Sequence, residues 1–283
     1  MSPHAADHAD DRAHKIQQAI KWTVYTLLLI NFAYYIYEDW NRATYVLTSN
    51  STFLQWAKEF ATSIDEAAWF ILLAMFELET YILDEKTWKG WVGHAVRATR
   101  LLCIVMIAHT IFAFSVAVND LRPTVPIENA TSLCDMVDDD VSYVYNLEYT
   151  DVTEQTCADL STASEFYRVG EDPVVSDLNG LNLERDLAWS DLAEVIIWVI
   201  ILALIEVVVR LQDRGITGGR LMSFANNSKL FLYLSLVGLG VYWAYLSHWL
   251  YLWDELVWIL GFAAIEMNVS EWRDELLEVT GNA

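Results

Sequence analysis

Glu194-Val-Ile-Ile-Trp-Val-Ile-Ile-Leu-Ala-Leu-Ile-Glu-Val-Val-Val-Arg210 decides the fold class. Between Glu194 and Arg210 only Glu206 is ionisable, and the apolar residues run without the polar alternation of a surface helix or a half-buried strand. At a helical rise of 1.5 Å, about 20 such residues cross a hydrocarbon layer of about 30 Å, and the apolar segment 190–210 has that length. Five further segments read the same way, over 19–38, 66–83, 98–118, 230–250 and 254–270, the last being short and bordered by acidic residues. The expected fold is an all-α polytopic membrane protein with six transmembrane helices.

The Trp and Glu of the opening stretch belong to a pattern that recurs. An acid, Trp four residues on, Ala five further and Glu three further appear as Asp65/Trp69/Ala74/Glu77, Glu194/Trp198/Ala203/Glu206 and Asp254/Trp258/Ala263/Glu266. The preceding spans repeat more weakly, Lys21/Tyr25/Tyr34/Tyr37 sharing its spacing with Lys229/Tyr233/Tyr242/Tyr245. Two spans per unit return the chain to one side, so the pattern predicts three parallel-repeat hairpins about a pseudo-threefold axis along the membrane normal. The organisation that follows is a polar cytoplasmic tail (1–18), a first hairpin with a surface helix (19–97), a second hairpin (98–118 and 188–228) and a third with the C-terminal tail (229–283). An acidic extracytoplasmic cap (119–187) interrupts the second hairpin.

Composition supports a membrane class and excludes others. Of 283 residues, 55% are hydrophobic, and 13 Trp and 14 Tyr supply interfacial anchors. The net charge of −22 disfavours nucleic acid and anionic lipid surfaces and suits cations. With the N-terminus inside, twelve Lys or Arg fall on the cytoplasmic side, and only Arg42, Lys58, Arg122, Arg168 and Arg185 fall outside. That asymmetry predicts an N-in, C-in protein of a bacterial-type inner membrane, its first apolar segment acting as an uncleaved signal anchor. Phe53, Ala57, Phe60 and Ile64, at helical spacing, predict a short amphipathic helix on the outer surface.

The cap holds sixteen Asp or Glu against three Arg, which accounts for −13 of the net charge. Cys134 and Cys157 both lie in it, whereas Cys103 lies in a span, so a Cys134–Cys157 disulfide is expected. Alternation along Val141-Ser-Tyr-Val-Tyr-Asn-Leu-Glu-Tyr149 predicts at least one strand. Asp138-Asp139-Asp140 lacks the pattern of an EF-hand loop, and the His and Asp residues of the N-terminal tail lack diagnostic ligand spacing, so no metal site is expected.

Each intramembrane carboxylate costs about 2.5–3.5 kcal/mol at a helix centre, so Glu77, Glu206 and Glu266 are expected to face the interior, with His109 and Asn31 as candidate partners. Arg210 follows Glu206 by four residues, the spacing of a helical ion pair. A carboxyl cluster of this kind points to a cation- or proton-conducting channel or transporter. The alternative is a non-catalytic membrane subunit, receptor or assembly factor that binds a protein partner, or a second copy of the chain, through its acidic cap. Gly-x-Ser-x-Gly, His-Glu-x-x-His, Walker and Cys-x-x-Cys motifs are missing, so no enzymatic role is expected and no cofactor is indicated. The three-hairpin layout is similar to that of mitochondrial carriers, but their Pro-x-[Asp/Glu]-x-x-[Lys/Arg] signature is missing from every odd-numbered span, and that family is set aside.

Overall fold

A computed structural model describes residues 3–81, 90–122, 125–216 and 218–262. Ala263 and Glu266 lie outside the described residues, as do the side chains of 3–17 and of Glu77. The chain is helical apart from one insert. In order come α1 (Pro3–Val46), α2 (Phe53–Glu59), α3 (Ala61–Tyr81) and α4 (Trp91–Asp120). The insert follows, with a 3-10 turn (Leu133–Asp139), β1 (Ser142–Tyr145), β2 (Glu148–Asp151), α5 (Cys157–Leu160), β3 (Phe166–Arg168) and β4 (Val174–Asp177). Then come α6 (Leu178–Asp213), α7 (Arg220–Tyr245) and α8, over 249–262.

Among the described residues, three helices are long and apolar enough to cross a membrane: Gln18–Val46 of α1, Trp91–Asp120 and Leu178–Gln212 of α6. They contain the first, third and fourth of the expected segments. Leu101, Leu102, Ile104 and Val105 of α4 are exposed, as lipid-facing residues are, because acyl chains replace protein contacts there. Of the other three segments, 66–83 and 254–270 are helical over their described parts. Segment 230–250 breaks at Tyr245, because Ser247 takes a left-handed φ of 77°. The N–H of His248 then donates to the Trp243 carbonyl and that of Ser247 to the Ala244 carbonyl, which closes the helix end.

Of the helix expected over Phe53, Ala57, Phe60 and Ile64, α2 holds the first two residues; Phe60 is its C-cap and Ile64 lies in α3. The start of α2 is a capping box, in which Gln55 Oε1 accepts from the Thr52 N–H at 2.8 Å and Thr52 Oγ1 accepts from the Gln55 N–H at 3.4 Å. After Phe60 the chain runs straight into α3, which packs along α4.

Two compact units partition the chain. Residues 34–203 form one, and residues 1–33 with 204–283 form the other. In the second unit Asn31 Nδ2 donates to Asp254 Oδ1 at 2.7 Å, both residues being buried, and Val208, Met222 and Ala225 form an apolar cluster.

The insert belongs to the first unit. Its sheet has the order β2-β1-β4-β3, with β1 parallel to β4 and antiparallel to β2. The alternation read over 141–149 thus covers β1 and the start of β2, joined by Asn146 (φ 55°) and Leu147 (φ 61°). Two successive left-handed residues make a hairpin turn that matches the strand twist. Leu133, Met136, Val141, Tyr143, Phe166 and Val175 form the core of the insert. The expected Cys134–Cys157 disulfide pins the 3-10 turn to α5, and Cys103 is a buried free thiol.

Candidate functional site

Site geometry begins where α1 passes α2. Arg42 Nη2 donates to Asp39 Oδ1 at 3.2 Å and to the Glu59 carbonyl, while its Nε faces Glu59 Oε2 at 3.2 Å. Asp39 and Glu59 are buried, so the guanidinium neutralises carboxylates that could not otherwise be held there in ionised form. The other oxygen of Asp39 accepts from the Ser63 N–H at 2.9 Å and its hydroxyl at 2.7 Å. Ser63 lies in the first turn of α3, whose N–H groups have no partner within the helix, so Asp39 caps α3 from α1.

Lys58 lies next in sequence to Glu59. Its Nζ donates to Asp120 Oδ2 at 3.1 Å and stands 3.9 Å from Glu59 Oε1. Asp172 is brought close by Gly170. At φ 56°, with a Cβ placed there only 3.1 Å from Asp120 Cβ, this position requires glycine, and its N–H donates to the Asp120 carbonyl at 3.2 Å.

On the far wall, the hairpin turn offers its N–H groups to a carboxylate, a small backbone anion site. Glu184 of α6, buried, accepts from the Leu147 N–H at 2.9 Å.

These elements line a partly open chamber of about 110 Å³. Glu59, Asp120, Asp172, Glu184 and Asp191 line it with Arg42 and Lys58, and Val46, Phe114, Val144 and Tyr149 supply apolar walls. By volume it has room for several waters. Five carboxyl groups face two cations. Burial pushes the Asp172 carboxyl up to about 6, and neighbouring Glu59, Asp120 and Glu171 add to this against the opposing pull of Lys58. Burial alone would lower the Lys58 ammonium, but Glu59, Asp172 and Asp120 outweigh it and hold the group above its ordinary value. The chamber therefore has the chemistry to bind a proton or a small cation. Among the described residues no group of three or more His, Cys, Asp or Glu side chains is placed to hold a metal ion.

The residues singled out by sequence fall elsewhere. Trp69, Trp198 and Trp258 are all buried, the first two with ring centroids 6.1 Å apart, and Trp69 Nε1 donates to Asp65 at 2.9 Å. Ala74 and Ala203 are exposed and Glu194 is half-buried. Glu206, expected to face inward, instead has a side chain 59% exposed and pairs with Arg210 at 2.7 Å. The buried stripe of α6 follows Val195, Trp198, Ile201 and Val208. At 100° per residue, Glu206 lies within about 20° of buried Val195, so helix phase alone does not account for its exposure. Asn31 is committed to Asp254. His109 Nε2 lies 3.0 Å from the Ala57 carbonyl and lines a separate cavity that borders the chamber.

Sequence reasoning passed over Arg42, Lys58, Glu59, Asp120, Asp172, Glu184 and Asp191. A signal existed in Arg42 and Lys58, the two basic residues between the first two spans, opposite a strongly acidic insert. No protein-family model, curated protein or solved structure matches the chain.

Proposed function

We propose that this membrane protein handles protons or small cations, and that they bind in the chamber between α1, α2, α4, α6 and the insert. One observation carries the reading: five carboxyl groups line a partly open cavity with two cations, and Asp172 is raised to about 6 there. Carboxyl groups crowded in low dielectric resist joint ionisation and take up protons or cations to relieve it. In the six-span, three-hairpin, N-in and C-in arrangement of a bacterial inner membrane, the insert is extracytoplasmic and the chamber opens to that side. Glu77 and Glu266 then remain candidates for a deeper layer, and Glu206, exposed and paired with Arg210, is left out of it.

Purified protein in liposomes loaded with a pH-sensitive dye tests the proposal. Uptake of protons or monovalent cations should exceed that of protein-free vesicles and fall in Asp172→Asn and Asp191→Asn. Uptake equal to protein-free vesicles would remove the transport reading. An open groove on the insert favours the second reading, that of a partner-binding subunit. Tyr143, Tyr145, Glu148, Thr150 and Asp159 line it, which suits a basic or hydrogen-bonding partner. Specific capture of a basic peptide by the groove, without ion uptake, would support that alternative.

A further inference from the structure

The chamber is bordered by a second cavity of about 320 Å³, and the two have Lys58, Glu59, Asp120 and Asp172 in common. Apart from this wall, Leu54, His109, Phe112 and Glu171 help line the second cavity. The Lys58 ammonium therefore lies in the partition, with Asp120 Oδ2 at 3.1 Å and Glu59 Oε1 at 3.9 Å.

Arg42 already pairs with Glu59, so the main partner of Lys58 is Asp120. Asp172 and Glu171, on the link held by Gly170, add negative charge on the same side. His109 faces the second cavity from α4. A lysine ammonium is a compact point charge on a flexible stem, and a part-exposed pair of this kind is weak enough to break and re-form thermally. Its side chain is 25% exposed, so it has room to leave.

We infer that Lys58 is a tethered plug: its ammonium occupies a cation position between the two cavities, and a cation from the second cavity enters the chamber only when Lys58 releases Asp120. The inference rests on the cation-handling reading, but its test does not require transport. It also differs from a purely structural salt bridge, whose loss would loosen the fold without opening one compartment to the other.

Thiol labelling of the full-length protein in liposomes separates these cases. Ala188→Cys reports on the chamber and Val116→Cys on the second cavity, each lining only its own space. The parent, whose free Cys103 is buried, supplies the background rate. The probes are 2-aminoethyl methanethiosulfonate, a cation, and 2-sulfonatoethyl methanethiosulfonate, an anion.

With Lys58 present, Ala188→Cys should react with both reagents only at the rate that the chamber's own opening allows, a rate common to every background. Lys58→Ala should speed the cationic reagent by about tenfold or more, since release of Asp120 by Lys58 is no longer required, and Lys58→Arg should not. Asp120→Asn keeps the lysine but releases it, so it should also accelerate labelling. It carries the test if Lys58→Ala does not fold. Equal Val116→Cys rates in every background show that the fold is kept.

Acceleration by the cationic reagent alone upholds both the plug and the cation reading. Faster labelling by both reagents upholds the plug and overturns cation selectivity. Ala188→Cys rates within about twofold of the parent in both variants, with Val116→Cys still reactive, would overturn the plug.

Discussion

The backbone N–H of Leu147, held at φ 61°, donates to Glu184 Oε1 at 2.9 Å. This bond ties the tip of the β1–β2 hairpin to the start of α6 and sets one wall of the chamber. Leucine rarely adopts a left-handed conformation, so the turn depends on a partner that satisfies its amides. Glu184→Ala leaves a half-buried donor without its carboxylate and should cost about 1 kcal/mol. Hydrogen exchange at the Leu147 amide should rise while amides in the core of α4 stay protected. Unchanged protection at Leu147 would show that the carboxylate is dispensable to the turn.

Gly170 is required for two independent reasons, its φ of 56° and its approach to Asp120. Gly170→Ala should destabilise the insert by about 1–2 kcal/mol from the left-handed backbone alone, with more from the contact. Chemical denaturation followed by intrinsic fluorescence reads the shift. A midpoint equal to the parent's would mean that the β3–β4 link has another conformation.

Removing the Glu59 side chain leaves Arg42 with Asp39 as its one carboxylate partner among the ion pairs described. Truncating one partner of a fully buried pair costs about 3–5 kcal/mol, and Arg42, with its side chain 30% exposed, recovers part of that through water. Glu59→Ala should therefore be markedly destabilising. Arg42→Met combined with Glu59→Met should cost less than the sum of the single changes. Strict additivity in that cycle would show that the two charges do not interact.

Asp172 makes stability depend on pH in a definite direction. A carboxyl raised from its ordinary 3.8 to about 6 holds its proton more tightly in the folded state than in the unfolded state. Its contribution is fully present below pH 3.8 and is lost as pH rises through about 6. Between pH 4 and pH 7 the melting temperature of Asp172→Asn should rise relative to the parent's, since asparagine stays neutral throughout. A difference that is constant over that range would contradict the raised value.

The disulfide closes a loop across a sequence separation of 23. Reduction should destabilise the insert by roughly 3 kcal/mol in the chain-entropy model. Alkylation of the unfolded, unreduced protein should modify one thiol, Cys103, and alkylation after reduction should modify three.

How much of this was legible in sequence follows from the range of each interaction. Hydrophobic continuity over about 20 residues is a local property, and it located the three described helices that are long and apolar enough to cross a membrane. Alternation over 141–149 and the helical spacing that begins at Phe53 are also local, and β1, β2 and the start of α2 lie where they point. The Glu206–Arg210 pair is set by one helical turn, and the disulfide by two cysteines sharing one insert. Which face of α6 is buried is a different matter. The stretch 194–210 is apolar all round, so periodicity could not say that Glu206 would be exposed beside Arg210, and tertiary packing decided it. The chamber depended on tertiary structure entirely. Its charged groups come from positions 42, 58, 59, 120, 172, 184 and 191, on four helices and a strand link, with no fixed spacing between them. Asp120, Asp172 and Glu184 look in sequence like solvated members of an acidic insert. They become a site because folding removes water from between them, and in low dielectric a carboxyl group has to find a cation, a hydrogen-bond donor or a proton.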